Sequence, residues 1–263
     1  HTCSTVADSL QNRIYKLKKY IKRILVLLPF EVDLYKSKGI DAVFIGNPAV
    51  DRVKTTMKPE EFRKKNNIPL NKPIITFLPG SRFHEIEDFL PVMIESIKLL
   101  KKNGDYQFII TPADSVNSKR CEEIIKNQGL GNEILLLPTE AYNAASSSVL
   151  VITKSGTSTI EMALIGVPFI VVYKTTFFAY RFIRLFYKKK EVSLANIIGD
   201  GNIIPELIQS DFTPEKIFET ATSILSDFKK RSEILRYMKK IREKLGQPGA
   251  AERAADSVME MLE

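Results

Sequence analysis

The chain has 263 residues, of which 44% are hydrophobic and 27% charged, and its formal net charge at pH 7 is +8. The apolar content excludes an intrinsically disordered chain, and the 12 glycines exclude a collagen-like one. Two cysteines and two histidines exclude a disulfide framework and leave too few ligands for a zinc site.

Short β-branched or leucine-rich runs alternate with amphipathic, charged segments along most of the chain. The runs are predicted to be strands, at Ile24–Leu28, Ala42–Ile45, Ile74–Leu78, Phe108–Thr111, Glu133–Leu137, Val149–Thr153 and Phe169–Tyr173. The segments between them are predicted to be helices, at Val32–Lys38, Glu60–Asn66, Glu85–Lys102, Lys119–Asn127, Ala141–Ser147 and Ser158–Ile165. This repetition predicts an α/β fold with a mostly parallel sheet, whose carboxyl edge is where such proteins bind ligands.

After about Val192 we expect no further strands. A helical tail is predicted there, at Ile217–Ser226, Lys229–Lys244 and Ala250–Leu262. Thr213 and Pro214 have the residue types of an N-cap and a first helical position. The longest apolar runs, Ile24–Phe30 and Val167–Tyr173, are far shorter than the ~20 residues of a spanning helix, so we expect none in this chain.

The first candidate binding turn follows the predicted strand Ile74–Leu78. Gly80 would let the backbone approach a ligand closely, and Arg82 carries a guanidinium fork that matches phosphate. The helix that begins near Glu85 offers backbone amides to an anion. The alternative is an ordinary strand–helix turn in which Arg82 pairs with Glu85 or Glu87. The turn is not a P-loop, because the pattern G-x-x-x-x-G-K-[ST] is missing.

A second candidate turn, Lys154-Ser155-Gly156-Thr157, follows the predicted strand Val149–Thr153 and opens a helix. Small hydroxyl residues at a helix N-terminus present N–H and O–H groups to an anion such as a pyrophosphate. Glu161, one turn into that helix, could accept hydrogen bonds from the two hydroxyls of a ribose. The alternative is an N-cap with a capping-box glutamate, worth ~1 kcal/mol. Two such turns on one sheet are stronger evidence for a phosphate site than either turn would be alone.

Two amides farther along the chain lie in apolar sequence. Asn196 and Gln209 could read ligand hydroxyls, or they could be buried amides that satisfy the backbone.

The segment Phe177–Lys190, here called the aromatic–basic segment, holds six aromatic and five basic residues and lies in a stretch without acids. This composition is typical of an interfacial helix on anionic lipid. Nucleic-acid stacking and a core helix capped by lysines are the alternatives. A second acid-free basic run, Arg13–Arg23, also suits a solvated helix face. The residues predicted to contact the membrane are Phe177, Phe178, Arg181, Phe182, Arg184, Phe186, Lys188 and Lys189.

Taken in order, these motifs resemble the lipid-A-disaccharide synthase family, which comprises inverting glycosyltransferases of the GT-B type. The resemblance runs from about Arg23 to the end of the chain. Its motifs are Leu28-Pro29-Phe30-Glu31, Phe44–Pro48, Leu78–Arg82 with Glu85-Ile86, Ser155-Gly156-Thr157 with Glu161, Val171-Val172-Tyr173, Leu194-Ala195-Asn196, Pro205–Gln209 and Gly249–Ala255.

The resemblance implies a reaction and a set of donor-binding residues. UDP-2,3-diacylglucosamine would donate its sugar to the 6-hydroxyl of 2,3-diacylglucosamine 1-phosphate (lipid X), with no metal or cofactor. A general base would act on the acceptor hydroxyl, and charge on the leaving UDP would be stabilised. Arg82 and the Ser155–Thr157 turn would neutralise the diphosphate and Glu161 would hold the ribose. The implied donor-binding residues are Gly80, Ser81, Arg82, Glu85, Ser155, Gly156, Thr157, Glu161, Tyr173, Asn196 and Gln209.

The resemblance also implies an organisation. Residues 1–48 would be the remnant of an N-terminal acceptor-side domain, 49–191 the UDP-sugar-binding Rossmann-like domain, and 192–263 a donor-site loop and helices that pack back on the N-terminal part or on a partner. The catalytic base is unknown and is expected in the missing part, so we expect the 263-residue chain to bind UDP and transfer no sugar.

The partners and the location follow from the same resemblance. It predicts a homodimer with intertwined C-terminal parts and a cytoplasmic protein peripheral on the inner face of the inner membrane. The two acid-free blocks suit anionic lipid and a phosphorylated glycolipid better than nucleic acid. The rival interpretations are another UDP-sugar GT-B enzyme and a non-catalytic membrane-surface or nucleic-acid binder on a degenerate transferase scaffold.

Overall fold

The structure is a computed structural model, and it describes residues 16–113, 118–175 and 191–262. The chain divides into two compact units. The larger comprises Val53–Ile241, and the smaller combines residues up to Arg52 with those from Arg242 onward.

The larger unit is built around a parallel sheet. Its strands are β3 (Ile74–Leu78), β4 (Gln107–Ile110), β5 (Ile134–Leu136), β6 (Leu150–Lys154), β7 (Phe169–Tyr173) and β8 (Glu206–Ile208). They lie in the order β5-β4-β3-β6-β7-β8, and every neighbouring pair is parallel. The predicted fold class, a parallel α/β sheet, is confirmed.

Helices precede, connect and follow these strands, and several of them contact the sheet. They are α3 (Pro59–Lys65), α4 (Phe83–Asn103), α5 (Ser118–Asn127), α6 (Ala141–Ser146), α7 (Ser158–Ile165), α8 (Leu194–Gly199), α9 (Pro214–Ser226) and α10 (Phe228–Lys244). Helix α4 shows why the sequence folds this way: Ile86, Leu90, Met93 and Ile97 recur at helical spacing and are all fully buried. At the start of α9, the Thr213 hydroxyl accepts a hydrogen bond from the Lys216 amide at 3.2 Å, which confirms the predicted N-cap.

The expectation that strands cease after about Val192 is wrong. Strand β8 pairs with β7 in the register Val171↔Glu206 to Tyr173↔Ile208. Only three residues long and directly after Pro205, β8 is too short to show a period of its own, so its identity depends on the neighbouring strand. Helix α8 was not predicted either. It begins where the Ser193 hydroxyl accepts a hydrogen bond from the Asn196 amide.

The smaller unit contains two parallel strands, β1 (Ile24–Val26) and β2 (Ala42–Phe44). Its helices include α1 (Phe30–Lys36), α2 (Ala49–Arg52) and α11 (Ala250–Met259). Arg253 of α11 donates from Nε to the Ile45 carbonyl at 2.8 Å. Arg23 bonds to Asp41 at 2.7 Å and to Glu260, the C-cap of α11, at 3.1 Å. These bonds fasten the last helix to the two strands.

Candidate functional site

A cavity of about 550 Å³ opens at the carboxyl ends of β3, β4 and β6 in the larger unit. The strand order reverses between β3 and β6, because their connections leave in opposite directions across the sheet. Such a switch point creates the crevice in which open α/β sheets bind ligands. The lining residues are Leu78, Gly80, Ser81, Glu85, Thr111, Pro112, Ala113, Thr139, Ala141, Tyr142, Lys154, Ser155, Gly156, Thr157, Ser158, Glu161 and Met162.

The first predicted turn, after β3, is organised by Glu85. This carboxylate is only 4% exposed, and its Oε2 accepts hydrogen bonds from the amides of Ser81 at 2.8 Å and Arg82 at 3.3 Å. These two amides, just before the start of α4, are therefore already engaged by the protein's own carboxylate. Gly80 has a φ of +129°, and a Cβ there would lie 2.9 Å from the Glu85 Cβ. The glycine makes room for Glu85, which differs from the close ligand approach we expected.

Glu85 also holds a lysine. Lys154, the last residue of β6, donates from Nζ to Glu85 Oε1 at 2.7 Å, and the two side chains are 19% and 5% exposed. Burial raises the pKa of Glu85, but the hydrogen bonds from Lys154, Ser81 and Arg82 outweigh it and bring the pKa below its ordinary value. The carboxylate is therefore charged at neutral pH.

The second predicted turn lies between β6 and α7. The Ser155 amide continues the sheet ladder to the Val172 carbonyl at 2.8 Å. The Ser158 hydroxyl donates back to the Lys154 carbonyl at 3.0 Å, which closes the turn. A side chain at Gly156 would have no neighbour within 4 Å, so the backbone here borders open space. In the first turn of α7 the amides of Thr159 and Ile160 already donate to the Gly156 and Thr157 carbonyls, at 3.2 and 3.0 Å. An anion would therefore meet the turn itself, at Gly156, Thr157 and Ser158, which line the cavity.

Two threonines give the cavity a polar side that the sequence did not predict. Thr111 is 3% exposed, and within the described ranges its hydroxyl has no hydrogen-bond partner. Thr139 has a φ of +72°, a backbone conformation that is unusual for a β-branched residue and costs free energy. A buried unpaired hydroxyl and a strained threonine in one cavity are features typical of a ligand site.

A second cavity, of about 490 Å³, shares Glu85 and Lys154 with the first. Its other lining residues are Arg82, His84, Asp88, Phe89, Tyr173, Lys174 and Thr175. The Arg82 side chain is 71% exposed, and its Nη1 lies 3.5 Å from Glu85 Oε1. This contact is the pairing that we gave as the alternative for Arg82.

The structure thus divides the eleven predicted donor-binding residues into three groups. Seven line the larger cavity: Gly80, Ser81, Glu85, Ser155, Gly156, Thr157 and Glu161. Arg82 and Tyr173 line the smaller one. Asn196 and Gln209 line neither of these two cavities.

Asn196 and Gln209 instead bond to the protein itself. Asn196 is fully buried and donates from Nδ2 to Glu206 Oε1 at 2.7 Å and to the Ile204 carbonyl at 2.8 Å. Gln209 exchanges two hydrogen bonds with the backbone of Thr175, at 2.7 and 3.0 Å. Both placements match the alternative of buried or partly buried amides that satisfy the backbone.

Five polar residues that line the larger cavity were not among the predicted donor-binding residues: Lys154, Thr111, Ser158, Thr139 and Tyr142. The first two end strands at the carboxyl edge, a signal that was present in the sequence. Thr139 and Tyr142 lie beside them in the folded chain only because of the order of the strands in the sheet.

The predicted membrane contacts at Phe177–Lys189 lie outside the described residues. Within the described ranges, no helix has the length and apolar character needed to cross a membrane. The same ranges contain no cluster of three His, Cys, Asp or Glu side chains suited to a metal ion.

A protein-family model described as lipid-A-disaccharide synthetase matches residues 10–260. The chain belongs to this family. The lipid-A-disaccharide synthase of Myxococcus xanthus (strain DK1622) is 33% identical over 253 residues, which cover 96% of this chain and 66% of that protein. The chain therefore spans 66% of the length of this relative.

Solved structures confirm the fold class. The S. aureus MnaA–UDP co-structure superposes with a TM-score of 0.64 at 17% identity, covering 92% of this chain and 60% of that one. WaaG, a glycosyltransferase involved in lipopolysaccharide biosynthesis, superposes with a TM-score of 0.54 at 14% identity, covering 88% and 61%. At these identities the likeness concerns the fold alone.

Proposed function

We propose that this chain binds the UDP portion of a nucleotide-sugar donor in the larger cavity. The observation that carries the proposal is the meeting of the two predicted turns, after β3 and β6, at the switch point of the sheet. The volume of about 550 Å³ lies in the range of small-molecule sites. Family membership supports the choice of a UDP-linked sugar, and the MnaA structure of similar fold is described as a complex with UDP.

The diphosphate is proposed to bind at the Ser155–Thr157 turn, whose backbone and small hydroxyl side chains line the cavity just before α7. Glu161, one turn farther along α7, lines the same cavity and is proposed to accept hydrogen bonds from the ribose hydroxyls. The base is proposed to lie toward Thr111 and Tyr142, which line the same cavity. The smaller cavity, beyond Lys154, is left for the sugar, with Tyr173 at its wall.

For the whole protein we propose the family reaction: transfer of 2,3-diacylglucosamine from UDP to the 6-hydroxyl of lipid X, with release of UDP. The name of the Myxococcus relative supports this reaction. Peripheral contact with the inner face of the inner membrane through the aromatic–basic segment, and a homodimer with intertwined C-terminal parts, are proposed with it.

Titration calorimetry with UDP, UMP and a short oligonucleotide tests donor binding. We expect UDP to bind more tightly than UMP and the oligonucleotide to give no saturable heat. Glu161→Gln should weaken UDP binding by about 1–2 kcal/mol, since it replaces charge-assisted hydrogen bonds with neutral ones. Glu122→Gln, an exposed change on α5 away from both cavities, is the matched control. If the chain binds the oligonucleotide and does not bind UDP, the result would support the rival interpretation, a non-catalytic nucleic-acid binder.

A further inference from the structure

A buried ion pair forms the wall between the two cavities. Glu85 and Lys154 are the two residues common to both linings, and their side chains are joined at 2.7 Å. Glu85 reaches this position from α4 and Lys154 from the end of β6, so the pair also ties together the two strands at the switch point. A ligand that extends from the larger cavity into the smaller one must pass this pair.

Charge in the larger cavity depends strongly on Lys154. Among the described residues that line it, two side chains are carboxylates, Glu85 and Glu161, and one is basic, Lys154. Without the lysine, two carboxylates would face an incoming diphosphate, and like charges repel it. Arg82 Nη1 also lies 3.5 Å from Glu85 Oε1, but its side chain is 71% exposed and lines only the smaller cavity. Among the described residues, Lys154 is therefore the cation that faces the larger cavity.

Both oxygens of the Glu85 carboxylate are already engaged by the protein. Its Oε2 accepts the Ser81 and Arg82 amides, and its Oε1 accepts Lys154 Nζ. It therefore occupies the acceptor position at the Ser81 and Arg82 amides that a phosphate oxygen could otherwise take. An ammonium group has three N–H donors, and the bond to Glu85 uses one, so Lys154 can still donate to a ligand oxygen.

We propose that Lys154 is the cation that binds the diphosphate of the donor and that Glu85 is a positioning residue rather than a ligand contact. Glu85 holds the ammonium at the boundary of the cavities and the Ser81 turn beside it. The inference rests on the proposed function and adds to it a residue that reads the phosphates of a nucleoside diphosphate. It makes a distinct claim: the loss of Lys154 should impair recognition of the diphosphate and leave recognition of the nucleoside intact.

The test compares UDP and uridine as ligands of the wild-type chain, Lys154→Met and Lys154→Arg. UDP affinity is measured by titration calorimetry and uridine affinity by ligand-observed NMR titration. A charge-assisted hydrogen bond contributes about 1.5–3 kcal/mol, so Lys154→Met should weaken UDP binding by about 10- to 150-fold. Uridine affinity should change by less than about twofold, a contrast that general misfolding would not produce. Lys154→Arg, which keeps the charge, should recover part of the UDP affinity.

Two further variants keep the test decisive. Lys98→Met is the matched control, because Lys98 is also a partly buried lysine bonded to a glutamate, at 2.8 Å, and lines neither cavity. Lys154→Met removes the lysine that bonds to the buried Glu85 carboxylate, and loss of one partner of a buried ion pair can itself unfold a protein. The double variant Glu85→Gln with Lys154→Met removes both charges, and it should show the same selective loss of UDP binding.

The outcomes separate the inference from the proposed function. A wild-type chain that binds UDP, together with a Lys154→Met variant that binds it within about threefold as tightly, overturns the inference and leaves the donor site standing. Equal weakening of UDP and uridine also overturns it, because Lys154 would then be structural. A wild-type chain that binds no UDP overturns the proposed function and the inference with it.

Discussion

Replacing Asn196 with alanine separates a structural role from a ligand-binding one. The amide is fully buried between α8 and β8. Its Nδ2 donates to the charged Glu206 at 2.7 Å and to the Ile204 carbonyl at 2.8 Å, and its Oδ1 accepts from the Ile204 amide at 3.2 Å. Alanine would leave both backbone groups of Ile204 without partners, in a residue with no solvent exposure.

The magnitude follows from these bonds. A hydrogen bond to a charged group contributes about 1.5–3 kcal/mol, and each buried polar group left unpaired costs about 1–3 kcal/mol. Because such terms are not additive within one network, we expect Asn196→Ala to lower the free energy of unfolding by about 3–5 kcal/mol. Asn202→Ala removes an exposed partner at 3.3 Å and should cost less than about 1 kcal/mol.

Urea unfolding followed by circular dichroism measures the change in the free energy of unfolding. Titration calorimetry without urea, where the variant is folded, measures its affinity for UDP. We expect the midpoint of Asn196→Ala to fall at an unchanged m-value, with UDP affinity within about threefold of the wild type. If the variant instead keeps its stability to within about 1 kcal/mol and loses UDP binding, Asn196 contacts the ligand and our placement of its role is wrong.

Two other predictions concern the turn after β3. Gly80→Ala should destabilise the chain by about 1–3 kcal/mol, measured by urea unfolding, because the alanine Cβ would collide with Glu85 at a φ of +129°. Gly156→Ala, where the added Cβ meets nothing within 4 Å, should cost less than about 1 kcal/mol, and equal losses would contradict the steric argument. Glu85 has a pKa below its ordinary 4.5, so its contribution to stability is present above pH 4.5 and is lost as the pH falls through the lower, folded-state value. The stability difference between wild type and Glu85→Gln should therefore narrow from pH 5 to pH 3 in urea titrations, and a constant difference would show that the charge of Glu85 does not matter.

Much of the fold could be predicted from the sequence because strands buried on both faces appear as short, continuous apolar runs. The seven predicted strands correspond to β1–β7. Strand β8 could not be predicted, since three residues carry no period and its pairing with β7 decides it. Helix α8 was missed for a similar reason: it spans only six residues, too few for the helical period to stand out.

The candidate site was predictable where its residues lie within one turn. The Gly80–Arg82 and Ser155–Thr157 turns follow strand ends, and both could be recognised from local composition. The partners of those turns could not, because Glu85 and Lys154 are 69 residues apart in sequence. The roles of Asn196 and Gln209 were equally undetermined, since an amide in apolar sequence suits a ligand and a buried network alike.

The sequence by itself determined the α/β class, the positions of the two turns and the family, because these depend on local patterns of apolar and small residues. Only the tertiary structure decided which charges meet. It shows that Glu85 accepts the Ser81 amide and the Lys154 ammonium and that both residues line the two cavities. The physical reason is that electrostatic interaction depends on distance and burial, and both are set by the order of the strands in the sheet rather than by their order along the chain.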